Sequence, residues 1–428
     1  MNISALHAKA TRLERELREI RDRIAQAEHD PAAVADDLAR NRAYAFSAEA
    51  LSIDEVVEGC ADSLDRYGFC VIDNVIPSGA VDAIREEVEA ARLRIDQNHR
   101  ALQELLGGKS LKSLKIGANE EALLTDPATA DKVELRPARR AGHPPKVPND
   151  IVWMPLYAQH LANPFVTGVA RRVLDDHLRI AQLHLRILDC DKPDGTPGGF
   201  GAVHRRGRAD TREWHTDWPH DTTAYGRGDP GRNIGCIRQP FPDVAMCLVM
   251  IWYLTDVDED SGGTWVVPGS HRDTRNPRGP SDGITCTAPI PGEIQITAAA
   301  GSLYIQDSRS WHASPMHNTS DRDRIAVVNR WCPWWLAVDD YAPHGLNNTV
   351  CQPLSRSEYL ALPTELQPLM RHLCPEEQDT VQQPLLDRAM EADVWARRAF
   401  KRLEEDPDSL SDANAHIRVP VAPSKRRD

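Results

Sequence analysis

From Leu6 the apolar positions Leu6, Ala10, Leu13, Leu17, Ile20, Ile24 and Ala27 step alternately by four and three, with Arg and Glu on the other faces. That is the heptad rhythm of a helix burying one narrow stripe, and it predicts a helix over residues 1–29. About three heptads are the minimum for a coiled coil, so pairing with a second subunit and docking onto the body of the same chain both stay open. If the stripe pairs subunits, deleting residues 1–29 turns a dimer into a monomer on size-exclusion chromatography; a full-length monomer at micromolar concentration means docking instead. Asp30-Pro31 is expected to end this helix, and a polar connector follows. Ser52-Ile-Asp-Glu55 reads as a capping box opening a helix with Ile53, Val56, Val57, Cys60, Leu64 and Tyr67 on one face, and Gly68 breaks it. Phe69 to Ile72 reads as a strand, and Ser78 starts a helix reaching about Ile95.

Residues 107–150 mix Gly, Lys, Arg and Pro without a clear period and read as an insertion. Beyond a helix near 164–177 the pattern changes to short apolar segments between Gly/Pro turns. These predict strands over Ala181 to Asp189, Trp214 to Trp218, Val244 to Leu254, Thr264 to Val267, Glu293 to Thr297, Ser302 to Gln306 and Arg324 to Trp331. Such spacing indicates a sandwich or barrel, so the expected class is mainly β with flanking helices. The stretch 191–212 carries five glycines and four arginines, Arg205, Arg206, Arg208 and Arg212, and reads as a mobile cationic loop; a further insertion covers 272–292. After Pro333 helical patterning returns over 333–404, and 405–428 reads as a loose charged tail.

The chain has 428 residues, 41% hydrophobic and 27% charged, which is globular composition with enough length for a large core. Its longest apolar run, Val244 to Leu254, has 11 residues, short of the roughly 18 that a membrane crossing takes. Nine scattered cysteines without a Cys-x-x-Cys pair fit reduced thiols in a cytoplasmic protein better than a disulfide framework. A net charge of −13 argues against nucleic acid as a partner, and neither a signal-like start nor a peroxisomal ending is present, since the chain closes Lys-Arg-Arg-Asp.

In Trp214-His215-Thr216-Asp217-Trp218 an extended backbone sends His215 and Asp217 one way and the three other side chains the opposite way. One imidazole and one carboxylate therefore converge. Farther on, Ser302 to Gln306 is followed by Trp311-His312-Ala313-Ser314, then by Asn318 and a basic cluster ending in Arg324-Ile-Ala-Val-Val.

This set resembles the phytanoyl-CoA dioxygenase-like family of iron(II)/2-oxoglutarate oxygenases. The resemblance is carried by Trp214-His215-Thr216-Asp217, by Gly262-Gly-Thr-Trp-Val-Val-Pro-Gly-Ser-His271-Arg272, and by His312-Ala-Ser314 through Asn318-Thr-Ser to Arg324. With the opening segment Tyr67-Gly-Phe-Cys-Val-Ile-Asp-Asn-Val-Ile76 it extends over about residues 51–332. It implies a double-stranded β-helix core and a mononuclear site with His215, Asp217 and His312 as iron(II) ligands. Two imidazoles and one carboxylate form a facial triad that leaves three adjacent positions open. Those positions suit a 2-oxo acid and O2, with Arg324 on the distal carboxylate of 2-oxoglutarate and Ser314 donating to the same group. Ascorbate is expected to support activity.

Each assignment has a rival. His317, His220 and His271 compete with His312, and Arg322 competes with Arg324, although only Arg324 opens an apolar strand. His271 is expected to brace the Pro268-Gly269 turn, and Trp214, Trp218 and Trp311 to pack in the core. Asp217 favours oxygen insertion over halogenation, because the related halogenases lack the carboxylate to seat chloride. Hydroxylation of a small or medium-sized metabolite, anionic or linked to a carrier or CoA, with release of succinate and CO2, is the default expectation. Desaturation, epoxidation and ring closure use the same ligands, and a cupin-like metal-binding or hydrolytic protein without 2-oxoglutarate chemistry is the alternative from another class.

Overall fold

The computed structural model describes residues 31–105, 154–195, 211–220, 241–336 apart from Thr274 and 279–282, and 354–377, with single residues elsewhere. In its main unit, Met1–Glu376, the helices are α1 (Pro31–Asn41), α2 (Ile53–Tyr67), α3 (Ser78–Leu105), α4 (Pro155–Leu161), α5 (Pro164–Val173), α6 (Arg356–Leu360) and α7 (Gln367–Met370). The strands are β1 (Ala45–Ser47), β2 (Phe69–Asp73), β3 (Leu178–Leu188), β4 (Leu248–Tyr253), β5 (Trp265–Val266), β6 (Ile294–Gln295), β7 (Leu303–Asp307), β8 (His312–Ala313) and β9 (Arg324–Pro333). This is a mixed α+β fold with a mainly sheet core. Six strands run in the order β1-β2-β7-β4-β9-β3, and a second sheet has the order β6-β5-β8. Apart from the parallel pair β1–β2, neighbours are antiparallel.

The period-2 alternation of the strands sorts the core into two layers. Cys70 and Ile72 of β2, Leu248, Met250 and Trp252 of β4, Leu303 and Ile305 of β7, and Ile325 and Val327 of β9 pack with Val56, Cys60 and Leu64 of α2, Tyr157 and Leu161 of α4, and Val166 and Val169 of α5. Tyr157 meets Trp252 edge to face, with ring centres 6.0 Å apart, a geometry worth about 0.5–1.5 kcal/mol beyond the buried area. The intervening positions, Phe69, Val71, Tyr253, Tyr304 and Ala326, pack against Val266 and Ile294 of the small sheet. The cavity described below opens on this second face.

Local signals set several boundaries. Ser52 caps α2 with the reciprocal Glu55 bond, and Gly68 ends the helix in the left-handed conformation, φ 85°, its N–H donating to the Leu64 carbonyl. Other boundaries differ from expectation. Pro31 opens α1 inside the expected connector, because the first helical turn needs no N–H from it and its fixed φ suits that place. Within the expected connector, Ala45–Ser47 adds to β2, a strand too short to show any alternation. α3 runs to Leu105 instead of Ile95, α4 was not foreseen, and β4 begins at Leu248, Val244 being half exposed at 51%.

Trp214 to Trp218 is not a regular strand. It carries one bridge, in which His215 and His312 exchange both backbone hydrogen bonds at 3.0 Å, and single bonds from Trp214 N–H to the Cys286 carbonyl and from Asp217 N–H to the Ser308 carbonyl. The heptad helix over 1–29, the insertion at 107–150 and the tail at 405–428 lie outside the described residues, scattered positions apart, as does most of 191–212. In the second unit, Glu377–Asp428, an Arg397–Asp393 ion pair of 2.7 Å spans one helical turn. Among the described residues no helix is long and apolar enough to cross a membrane.

Candidate metal centre

His215, Asp217 and His312 each offer one ligand atom, and these atoms lie within 4.8 Å of one another. The His215–His312 bridge sets the two rings 4.2 Å apart between centres. Nδ1 of His215 lies 2.7 Å from the Glu213 carbonyl and Nδ1 of His312 lies 3.0 Å from the Ser310 carbonyl. A carbonyl can only accept, so each Nδ1 carries a proton, and in the neutral ring it is Nε2 that offers a lone pair to a metal. The Asp217 N–H donates to the Ser308 carbonyl at 2.8 Å, which anchors the carboxylate's backbone. Asp217 Oδ2 sits 3.4 Å from His312 Nε2, while Oδ1 accepts a 2.6 Å bond from Arg330 Nη2. Two ring nitrogens and one carboxylate oxygen, each oriented by a partner behind it, fit a divalent non-haem metal with further positions open.

Electrostatics set the charge of His215 and of Asp217. Burial pushes the His215 imidazole well below its ordinary range, and repulsion from His312 and Arg278 adds to the effect, so His215 is neutral. Burial pushes Asp217 upward, but the Arg330 guanidinium, then His312, outweigh it and hold the carboxyl well below the usual range. Asp217 is therefore ionised in a buried place, which requires a permanent countercharge.

The three residues open on a cavity of about 390 Å³ that is also lined by Ser314, Arg324 and Arg330. On β9 the positions 324, 326, 328 and 330 share one face, and all four line it, together with Val249 and Ile251 of β4. Arg324 Nη1 donates to the Gly262 carbonyl at 2.6 Å. Tyr253 stands beside it, its hydroxyl 3.4 Å from Thr264, a further lining residue.

Gly262 has φ 83°, and a Cβ there would lie 2.8 Å from the His317 carbonyl oxygen. Gly262→Ala should therefore cost about 1–2 kcal/mol from the left-handed backbone alone and displace the carbonyl under Arg324. Denaturant unfolding checks the first effect; a weakened 2-oxo acid affinity in the folded variant checks the second.

Residues weighed as rivals have other partners. His317 pairs with Asp191 at 2.7 Å, His220 lies 3.0 Å from Ser308 Oγ, and His271 bonds the Asp65 carbonyl at 3.0 Å beside the Pro268-Gly269 turn. Arg322 is exposed and faces Asp256 and Asp258 at 3.4 and 3.9 Å. Trp214, Trp218 and Trp311 are buried. Arg212 is not part of a mobile cationic loop: it is buried, bonds Glu293 at 2.7 Å and lies 3.7 Å from the Trp265 ring centre. Arg205, Arg206 and Arg208 lie outside the described residues. Sequence reasoning missed Arg330, although its even spacing from Arg324 along one strand was the signal. It also missed Glu213, whose role is played by its backbone and leaves no mark in side-chain type.

The model of the phytanoyl-CoA dioxygenase (PhyH) family matches residues 64–326. The uncharacterized proteins Mb1539 of Mycobacterium bovis and Rv1501 of Mycobacterium tuberculosis are each 25% identical over 283 residues, 65% of this chain and 75% of theirs. Among solved structures, HygX from Streptomyces hygroscopicus with nickel and 2-oxoglutarate bound is similar at 16% identity and a TM-score of 0.39, over 67% of this chain and 89% of its own. The non-heme alpha-ketoglutarate-dependent epimerase SnoN from nogalamycin biosynthesis is similar at 16% identity and a TM-score of 0.37, over 65% and 84%.

Proposed function

This chain belongs to the phytanoyl-CoA dioxygenase family, and from that premise we propose that it is an iron(II)- and 2-oxoglutarate-dependent oxygenase. Its preferred outcome in this reading is hydroxylation of an unactivated C–H bond in a small or medium-sized metabolite. The observation that supports this most is the convergence of two Nδ1-protonated imidazoles and one ionised carboxylate on a cavity that also holds a guanidinium on a strand face. His215, Asp217 and His312 would hold the iron. With 2-oxoglutarate and O2, bound iron supplies the oxidising power for C–H cleavage, with release of succinate and CO2.

The chain's own groups then have separate tasks. Arg324 binds the distal carboxylate of 2-oxoglutarate through its planar fork, and Ser314 adds a hydroxyl donor. Val249, Ile251, Val328 and Met316 line the cavity with hydrocarbon, which excludes water and strengthens the charged contacts. The fold proposed around the site is the double-stranded β-helix, with the N-terminal helix as a dimerisation or docking element.

Succinate formation from 2-oxoglutarate, coupled to a panel of candidate metabolites, tests the reading. A chelator should abolish turnover and iron(II) with ascorbate should restore it, because the donor set suits that ion. Full activity with zinc alone would place the protein in a hydrolytic class.

A further inference from the structure

We propose that Arg330 is a positioning residue for the metal, holding Asp217 so that one carboxylate oxygen is spent on the guanidinium and the other is kept for the ion. The inference rests on the triad being the metal site, and it adds a residue outside the resemblance that identified that site.

Arg330 and Asp217 are both buried, and Arg330 Nη2 meets Oδ1 at 2.6 Å. The second oxygen, Oδ2, is the one beside His312 Nε2 at 3.4 Å. A carboxylate on a short side chain turns freely about its last bond, and bonding one oxygen removes that freedom. Of the three arginines lining the cavity, Arg186 is on β3 while Arg324 and Arg330 share β9, but at strand rise the Cα atoms of the latter two are about 20 Å apart. Arg324 and Arg330 therefore serve different groups: one is placed for a co-substrate carboxylate and the other already holds the protein's own.

The alternative is that Arg330 is only a buried structural ion pair. The two readings differ in sign at the metal. By Coulomb's law alone, removing a cation next to the site should strengthen binding of a dication. Loss of an outer partner that orients a ligand instead weakens metal affinity, typically by about 10–100-fold. A freed carboxylate can also bind through both oxygens, taking up a position that the 2-oxo acid and O2 need.

The experiment is calorimetric titration of Ni(II) into metal-free full-length protein, which needs no turnover. His312→Ala is the reference for the site itself: if the wild type binds no better than this variant, the metal-site reading fails, whatever Arg330 does. Given wild-type binding, Arg330→Met should weaken it by about 10–100-fold, and Arg330→Lys should recover part, since an ammonium can donate to Oδ1 without the planar fork. The visible spectrum of the Co(II)-loaded Arg330→Met variant should also change, reporting altered carboxylate coordination. Nickel affinity in Arg330→Met equal to or tighter than wild type overturns the proposal. If Arg330→Met does not fold, Arg330→Lys decides: several-fold weaker binding supports the role and wild-type affinity overturns it.

Discussion

Replacing Arg324 with alanine is expected to weaken 2-oxoglutarate binding by about thirty-fold to several thousand-fold while leaving metal affinity nearly unchanged. Truncating one partner of a desolvated, hydrogen-bonded charge pair costs on the order of 2–5 kcal/mol, and about 1.4 kcal/mol is one decade of affinity. The guanidinium is partly buried at the start of β9 and fixed on the Gly262 carbonyl at 2.6 Å, so it is preorganised and little ordering entropy offsets the contact. Lysine should restore only part of the loss, keeping the charge without the fork. Arg322→Ala is the control and should change little, because that side chain is exposed and faces Asp256 and Asp258. Equilibrium binding of 2-oxoglutarate to the Ni(II)-loaded protein measures all three. Sensitivity at Arg322 would reopen the choice between His312 and His317; insensitivity at both arginines would remove the co-substrate from the proposal.

Asp217→Ala should abolish tight metal binding and reduce succinate formation to background. From the sequence alone, a carboxylate near the end of an expected strand is taken to bear little packing, so that the fold survives its loss. The Arg330 bond alters that expectation. Alanine takes the Asp217 carboxylate away from a buried guanidinium, and breaking a buried pair from one side costs about 3–5 kcal/mol, to be read as a lowered denaturant midpoint. Asp217→Asn separates the two effects. Its amide oxygen can still accept from Arg330, so much of the stability should return, whereas the lost charge should keep metal affinity low. Near-wild-type succinate formation in Asp217→Asn would place the metal ligand elsewhere.

A good part of this was legible because it is local. The capping box at Ser52 and the left-handed Gly68 bound α2 where the residue types require it. Alternation along an extended segment put His215 and Asp217 on one side, and a two-residue spacing needs no knowledge of the partner strand. The even spacing from Arg324 to Arg330 was equally readable, but nothing in it says which group an arginine will meet.

What the tertiary structure decided were the pairings between distant segments. The Trp214 to Trp218 stretch has the pattern of a strand, yet only the exchange of hydrogen bonds between His215 and His312 brings the second imidazole to the first. Arg212 sits next to a Gly- and Arg-rich stretch and by composition belongs to it; its burial against Glu293 and Trp265 comes from a segment far along the chain. Arg330 became part of the candidate site because β9 pairs with β4 in a register that sets Arg330 opposite Val249 on the cavity face, within reach of Asp217. Sequence by itself thus determined which side chains share a face, since that follows from backbone geometry within a few residues. Which faces meet depended on strand register and on burying both layers of apolar side chains at once, a condition set by the whole chain.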